Sequence, residues 1–302
     1  MSNKDNRHVP VLLNEVIEGL QLQPGMTVVD GTLGNAGHSE VIAKVIGSTG
    51  HLIGFDADPL AIQESSQVLD KVEAKVEIIN ANFGNMAAEL ASRGINQVDA
   101  ILLDLGLRRG SLEDSGRGFS FQRLDEPLDM RFNPADQTLT TAAEMVNDYA
   151  PETLADIFYY YADERLSRRY AAAIVEARDQ STIKTVGDLV AIIDEATPSR
   201  ATRPGRSSAT RVFQALRMAV NKELAVLEEG IKASVDLLAT SGRLAVISFH
   251  SIEDRLVKNI FKDLDKQKVI VRDPKKAIKP TREEIVSNSL SRSAVLRLIT
   301  KL

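Results

Sequence analysis

Apolar and polar positions along the first hundred residues switch repeatedly between two periods. Val11 to Leu20 carries apolar residues at helical spacing, and Pro24-Gly25 then turns the chain. Met26 to Asp30 (MTVVD) is a short apolar run ending in a carboxylate. Gly37 to Ile46 returns to the helical period, and His51 to Asp56 (HLIGFD) is a second apolar run ending in an acid. Asp58 and Pro59 fit an N-cap and a first helical position, ahead of a helix over 60–71. Val76 to Ala81 predicts a third strand, Phe83 to Arg93 a helix, and Val98 to Asp104 (VDAILLD) a fourth strand. Strands alternating with ten-residue helices predict βαβ units and a parallel sheet.

The rhythm stops after Asp104. Residues 105 to about 221 hold no comparable apolar strand. They hold a Gly-rich loop (GLRRGSLEDSGRGFSF), helical stretches near 141–148, 151–160, 163–178 and 185–196, and a Pro/Arg/Ser loop (TPSRATRPGRSS). A helix from about 209 to 239 follows, then a strand over Gly242 to His250 and a helix to about Leu264. Val269 to Arg272 and Ala294 to Thr300 are placed to close the sheet. The expected fold is a doubly wound α/β domain, residues 1–106 and 214–302, with a helical domain of residues 107–213 inserted between strands four and five. An insertion of that length needs structure of its own.

Composition narrows the chemistry. The 302 residues are 43% hydrophobic and 26% charged, ordinary values for a folded globular chain. No cysteine is present, which excludes disulfides, thiolate zinc sites, iron–sulfur clusters and a cysteine nucleophile. Four scattered histidines predict no metal site. The start, MSNKDNRHVP, lacks the apolar core of a signal peptide, and no apolar run is long enough to span a bilayer. The expectation is a soluble cytoplasmic protein with no membrane partner. A net charge of −5 excludes a uniformly basic surface but not local basic segments. Residues 200–211 carry Arg200, Arg203, Arg206 and Arg211 with no acid, and residues 266–282 carry seven basic residues against Asp273. Such segments suit phosphate contacts along RNA.

Ligands of open α/β sheets sit beyond the carboxyl ends of the strands. Three runs here end in acids: Asp30, Asp56 and Asp104. The loop after the first is Gly31-Thr32-Leu33-Gly34-Asn35-Ala36-Gly37-His38, with spacing G-x-x-G-x-x-G rather than the G-x-G-x-x-G of dinucleotide binders. An acid just before the loop suits a cationic ligand better than a pyrophosphate. S-adenosylmethionine (SAM) carries an ammonium and a sulfonium and no phosphate. Asp30 is then a cofactor contact, Asp56 an acceptor for ribose hydroxyls, and Phe83 a wall of the adenine pocket. An NAD-dependent oxidoreductase is the weaker alternative, given the glycine spacing.

Several segments together resemble one family. HVPVLLNEVIEGL (8–20), DGTLGNAGHS (30–39), FDADPLAI (55–62), ILLDLG (101–106), RGFSF (117–121), PLDMR (127–131), ATRVFQALRMAVNKEL (209–224), GRLAVISFHSIEDRLVK (242–258) and SRSAVLRL (291–298) are similar to the MraW/RsmH family of bacterial 16S ribosomal RNA (cytosine-N4)-methyltransferases. The resemblance runs in order over almost the whole chain. It implies a class I SAM-dependent methyltransferase (Rossmann-like) sheet with an inserted substrate-recognition domain. It also implies SAM as cofactor and a cytosine in the decoding region of 16S ribosomal RNA as substrate, presented on the small ribosomal subunit. A homodimer is compatible with it. The family's cofactor contacts fall on Ala36, Gly37, His38, Asp56, Phe83, Asp104 and Ser111, and Asp104 is the candidate catalytic residue. Phe119, Phe121 and His250 are further candidates for substrate contact. The chain departs from the family at Leu107 to Ser111, at Ser207-Ser208 and at Asn35-Ala36. A non-catalytic RNA-binding or ribosome-assembly homologue is the alternative those departures leave open.

Overall fold

The computed structural model describes residues 10–105, 112, 114–199 and 207–302. They fall into two compact units, residues 1–106 with 224–302, and residues 107–223.

The first unit is built on a sheet. In chain order it contains α1 (Leu13–Leu20), β1 (Thr27–Asp30), α2 (Gly37–Ile46), β2 (His51–Phe55), α3 (Pro59–Leu69), β3 (Lys75–Ile79), α4 (Met86–Ser92) and β4 (Val98–Asp104). The inserted unit supplies α5 (Ala142–Asp148), α6 (Pro151–Ala162), α7 (Ser167–Arg178), α8 (Val186–Ala196) and α9 (Thr210–Val220). The first unit resumes with α10 (Glu223–Leu237), β5 (Leu238–Ser248), α11 (Ser251–Lys266), β6 (Ile270–Arg272), α12 (Arg282–Ser287) and β7 (Val295–Lys301). The strand order is β3-β2-β1-β4-β5-β7-β6. β1 to β5 pair in parallel, whereas β7 runs antiparallel to both β5 and β6.

Alternation along the strands feeds two cores. Val28, Leu52, Leu102, Ala245 and Leu296 face one side with Val16, Ile42 and Ile46 of α1 and α2. Val29, Ile53, Ile101, Leu103 and Val246 face the other with Met86, Ile231, Val257 and Phe261 of α4, α10 and α11. Strands covered on both faces explain why β1, β2 and β4 read as continuous apolar runs rather than alternating ones. Asp58 caps α3 as expected, accepting from the Leu60 amide at 3.2 Å.

The inserted unit has its own core, in which Leu154 and Phe158 of α6, Tyr170 and Ile174 of α7, Leu189 and Ile193 of α8, and Val212 and Leu216 of α9 are buried together. The boundary expected at 213/214 therefore falls later, at 223/224, because all of α9 packs with the insertion. The single helix expected over 209–239 is two. Lys222 takes a left-handed backbone (φ 51°), and the side chain of Asn221 ties the end of α9 to the 130–132 segment. Its Oδ1 accepts from the Phe132 amide at 2.8 Å, and its Nδ2 donates to Met130 O at 2.8 Å and Arg217 O at 2.9 Å. Similarly, the helix expected from 163 starts at Ser167, since Asp163 is left-handed (φ 49°) and ends α6.

Asn221 is only 5% exposed, and its bond to Met130 O is buried. Asn221→Ala is expected to lower the unfolding free energy by about 2–4 kcal/mol, since each orphaned buried group costs roughly 1–3 kcal/mol. Denaturant titration checks this; a loss below about 0.5 kcal/mol would show that the 130–132 segment is held by other contacts.

Candidate active site

The site is laid out by register. Asp30, the last residue of β1, lies level with Gly54 of β2 and Leu102 of β4. Asp56 and Asp104 each stand two residues further along the chain, roughly 6–7 Å at the rise of a strand. β1 thus stops short between two longer neighbours and leaves a notch, walled by Asp56 on one side and Asp104 on the other. The strand order reverses beside β1, which makes this the switch point of the sheet.

The loop from Gly31 to Ala36 crosses the floor of the notch. The Gly31 amide donates to Leu102 O at 2.9 Å, and a side chain there would collide with Leu103. The Leu33 amide donates to Phe55 O at 2.8 Å, and the Gly34 amide to Asp56 Oδ2 at 2.9 Å. Gly34 (φ 52°) and Ala36 (φ 59°) are both left-handed. That conformation admits glycine freely and costs alanine about 1–2 kcal/mol, so the fully buried Ala36 is held there by its surroundings. Ala36 leads directly into α2, whose first residues are Gly37 and His38.

Asp30 does not face the notch. It is 1% exposed; Oδ2 accepts from the Ser39 hydroxyl at 2.6 Å and Oδ1 from the Thr32 amide at 3.1 Å. The Thr32 hydroxyl in turn accepts from the Asp104 amide at 2.6 Å. Asp30 therefore fastens β1, the loop and α2 together beneath the site, in place of the direct cofactor contact expected of it. Burial pushes its carboxyl above the ordinary 3.8, against the opposing hydrogen bond from Ser39. The native state then keeps this proton to higher pH than the unfolded chain does. The associated stability is fully present below 3.8 and is lost as pH rises through the native value. Asp30→Asn should retain the fold and gain melting temperature relative to wild type between pH 4 and pH 7. A difference independent of pH would remove Asp30 from the groups that set the acid-side stability.

Asp56 and Asp104 stay on the rim. Asp56 gives one oxygen to the Gly34 amide and the other to the Asp58 amide at 2.8 Å. Asp104 has a side chain 22% exposed, with Oδ2 at 3.5 Å from His38 Nδ1. The opposite ring nitrogen of His38 lies 2.9 Å from Val11 O, which fixes the imidazole plane. Phe83 is half-buried at the start of a short turn that Asn82 caps. Its ring packs so closely on Gly230 of α10 that a side chain there would collide with it.

A ligand with hydroxyl donors and positive charge fits this set. Residues 30–38, 56–59, 80–85 and 104–105 contain no Lys or Arg to receive a phosphate. At Gly34 an added Cβ would meet only Thr32 O, at 3.8 Å, so the outer side of the loop is open.

The remaining candidates divide. Phe119 stacks on Phe132 (centroids 5.8 Å apart) beneath the Arg117 guanidinium, and Phe121 meets Phe213 edge-on. Both pack within the inserted unit. His250 caps α11, with Nδ1 accepting from the Glu253 amide at 3.4 Å and Nε2 at 3.0 Å from Glu253 Oε1. Ser111 and the Arg108-Arg109 pair lie outside the described residues. Thr32 and Ser39 join the site through Asp30, and their only mark in the sequence is their place two and nine positions after the acid that ends β1.

Five parallel strands joined to an antiparallel β7 in this order, with an acid-walled notch at the switch point, define a class I methyltransferase fold carrying an inserted helical unit. The MraW methylase family matches residues 5–302. The ribosomal RNA small subunit methyltransferase H of Dictyoglomus thermophilum is 42% identical over 298 residues, covering 99% of this chain and 98% of that protein. The protein of the same name from Heliobacterium mobile is 40% identical over 316 residues, covering 98% and 99%. The chain belongs to the MraW methylase family.

Proposed function

We propose that the protein methylates the N4 amine of a cytosine in the decoding region of 16S ribosomal RNA, with SAM as methyl donor. One observation carries the reading: two rim carboxylates, Asp56 and Asp104, wall a notch with no Lys or Arg among its described residues, in a chain about 40% identical to ribosomal RNA small subunit methyltransferases along its whole length. No helix among the described residues is long and apolar enough to cross a membrane, which agrees with a cytoplasmic site of action on the small subunit.

Asp56 holds the ribose hydroxyls of the cofactor, the backbone of Ala36, Gly37 and His38 borders it, and Phe83 flanks its base. When bound, SAM supplies an electrophilic methyl group on a sulfonium. The cytosine amine is a weak nucleophile because its lone pair is conjugated with the ring. Asp104 accepts a hydrogen bond from that amine, which favours a pyramidal nitrogen whose lone pair is less conjugated with the ring. The nitrogen grows more acidic as its new bond forms, so its proton passes to Asp104 or to water without a strong base. His38 sets the rotamer of Asp104. The protein's share of the rate is mainly this positioning. The target base must leave its stack to reach the notch.

Basic groups around the sheet serve the RNA strand. Lys266 pairs with Asp263 and Arg272 with Asp265, so those two are partly spent within the fold. Lys275, Lys276, Lys279 and Arg282 are exposed. Ile278 pairs with Leu296, opposite Ile247, which brings this loop to the same end of the sheet as the notch.

The test is to incubate small subunits lacking the modification with protein and labelled SAM, then map the labelled nucleotide. Label on N4 of a single decoding-region cytosine is expected. Label on another base, or on protein alone, overturns the assignment.

A further inference from the structure

The inserted unit carries a second constellation. Tyr159 and Tyr160, at the end of α6, are 52% and 65% exposed, and their rings meet edge-to-face at 5.2 Å. Exposed aromatics of this size, side by side, are costly to leave in water without a use. Tyr159, Asp163, Arg165 and Arg211 line a concavity of about 500 Å³. The arginine at its edge is held in place: Arg211 Nη1 donates to Asp163 O at 3.1 Å and lies 3.9 Å from Glu164 Oε2. Glu164 is itself 8% exposed, and its Oε1 accepts from the Leu166 amide at 2.8 Å. Arg211 is thus backed by a buried carboxylate while keeping a side chain 49% exposed. Arg165, Arg168 and Arg169 continue as exposed positions along the start of α7. Arg169 also donates to Ala196 O.

A flat aromatic face beside one guanidinium held in place and a second on the same wall is the chemistry that receives a nucleobase and its phosphate. A folded protein partner would be met by a broader apolar area; here the neighbours of the two tyrosines are charged. We propose that this concavity seats one unpaired nucleotide of the RNA substrate, its base stacked on Tyr159 and its phosphate held by Arg165 and Arg211. Asp163, at the same wall, accepts from an exocyclic amine or a ribose hydroxyl. The inference rests on the RNA reading above and deepens it by giving the inserted unit a specific contact. It commits the unit to reading a single-stranded segment, since a base within a duplex offers no free face.

The test uses full-length protein and a fluorescein-labelled unstructured RNA decamer, with a duplex of the same sequence as a second probe, read by anisotropy. Tyr159→Ala is expected to weaken decamer binding about tenfold and Arg211→Gln about fivefold, while Tyr159→Phe stays within about twofold of wild type. Duplex binding should not respond to Tyr159→Ala. Wild-type melting temperatures in the variants exclude misfolding as the cause. Unchanged decamer binding in both Tyr159→Ala and Arg211→Gln, with wild type binding normally, overturns the proposal and leaves the methyltransferase reading intact. Variants that bind the decamer normally but fail to methylate intact small subunits also overturn it, and point to a ribosomal protein as occupant. If wild-type protein neither binds the decamer nor methylates subunits, it is the RNA reading itself that falls.

Discussion

Asp104→Ala should lower kcat/KM for methylation of small subunits by at least about a hundredfold, the scale of losing one positioning contact at the reacting atom. The carboxylate is the partly exposed acid at the carboxyl end of β4, at the switch point, and His38 stands 3.5 Å behind it. Its backbone amide, by contrast, is engaged by Thr32 whatever the side chain, so the end of the strand should survive the substitution. Cofactor affinity is therefore expected to change much less than turnover. Asp104→Asn separates two roles. It preserves an acceptor oxygen but removes the charge, so partial activity is expected if orientation dominates. Full turnover with Asp104→Ala would strike Asp104 from the reacting groups.

Asp56→Ala should act on the other side of the notch and on the other substrate. A hydrogen bond to a charged acceptor contributes about 1.5–3 kcal/mol, which corresponds to a rise of roughly 10- to 150-fold in the dissociation constant for SAM. At saturating cofactor, kcat should stay within about threefold of wild type. Some melting temperature should also be lost, because the Gly34 and Asp58 amides lose their acceptor. Calorimetry with the variant checks the first point and single-turnover methylation the second. Equal affinity in variant and wild type would mean that Asp56 serves only its own backbone.

The contrast between these acids and Asp30 shows where the chain was readable and where it was not. All three end apolar runs, and the sequence pattern treats them alike. Their register separates them: β1 ends two residues short of the level of Asp56 and Asp104, so Asp30 is roofed by Thr32 and Ser39 while the others reach the rim. Pairing register is a property of three strands at once and has no signature within any one of them. The strands themselves were legible because burial on both faces demands unbroken apolar runs, as in ILLD at 101–104. The joint between α9 and α10 was hidden for the opposite reason. Apolar spacing continues smoothly through Asn221, and the break depends on partners ninety residues away, at Met130 and Phe132. Tyr159 and Tyr160 were masked by their context. In IFYYYA the neighbours Ile157, Phe158 and Ala162 are core, and nothing local marks which of the six face water.

Titration of the full-length protein with SAM, followed by calorimetry and repeated with NAD, bears most directly on the notch. One-to-one binding of SAM is predicted, weakened by Asp56→Ala and accompanied by no detectable heat with NAD. Saturable binding of NAD together with rejection of SAM would contradict the assignment of this site.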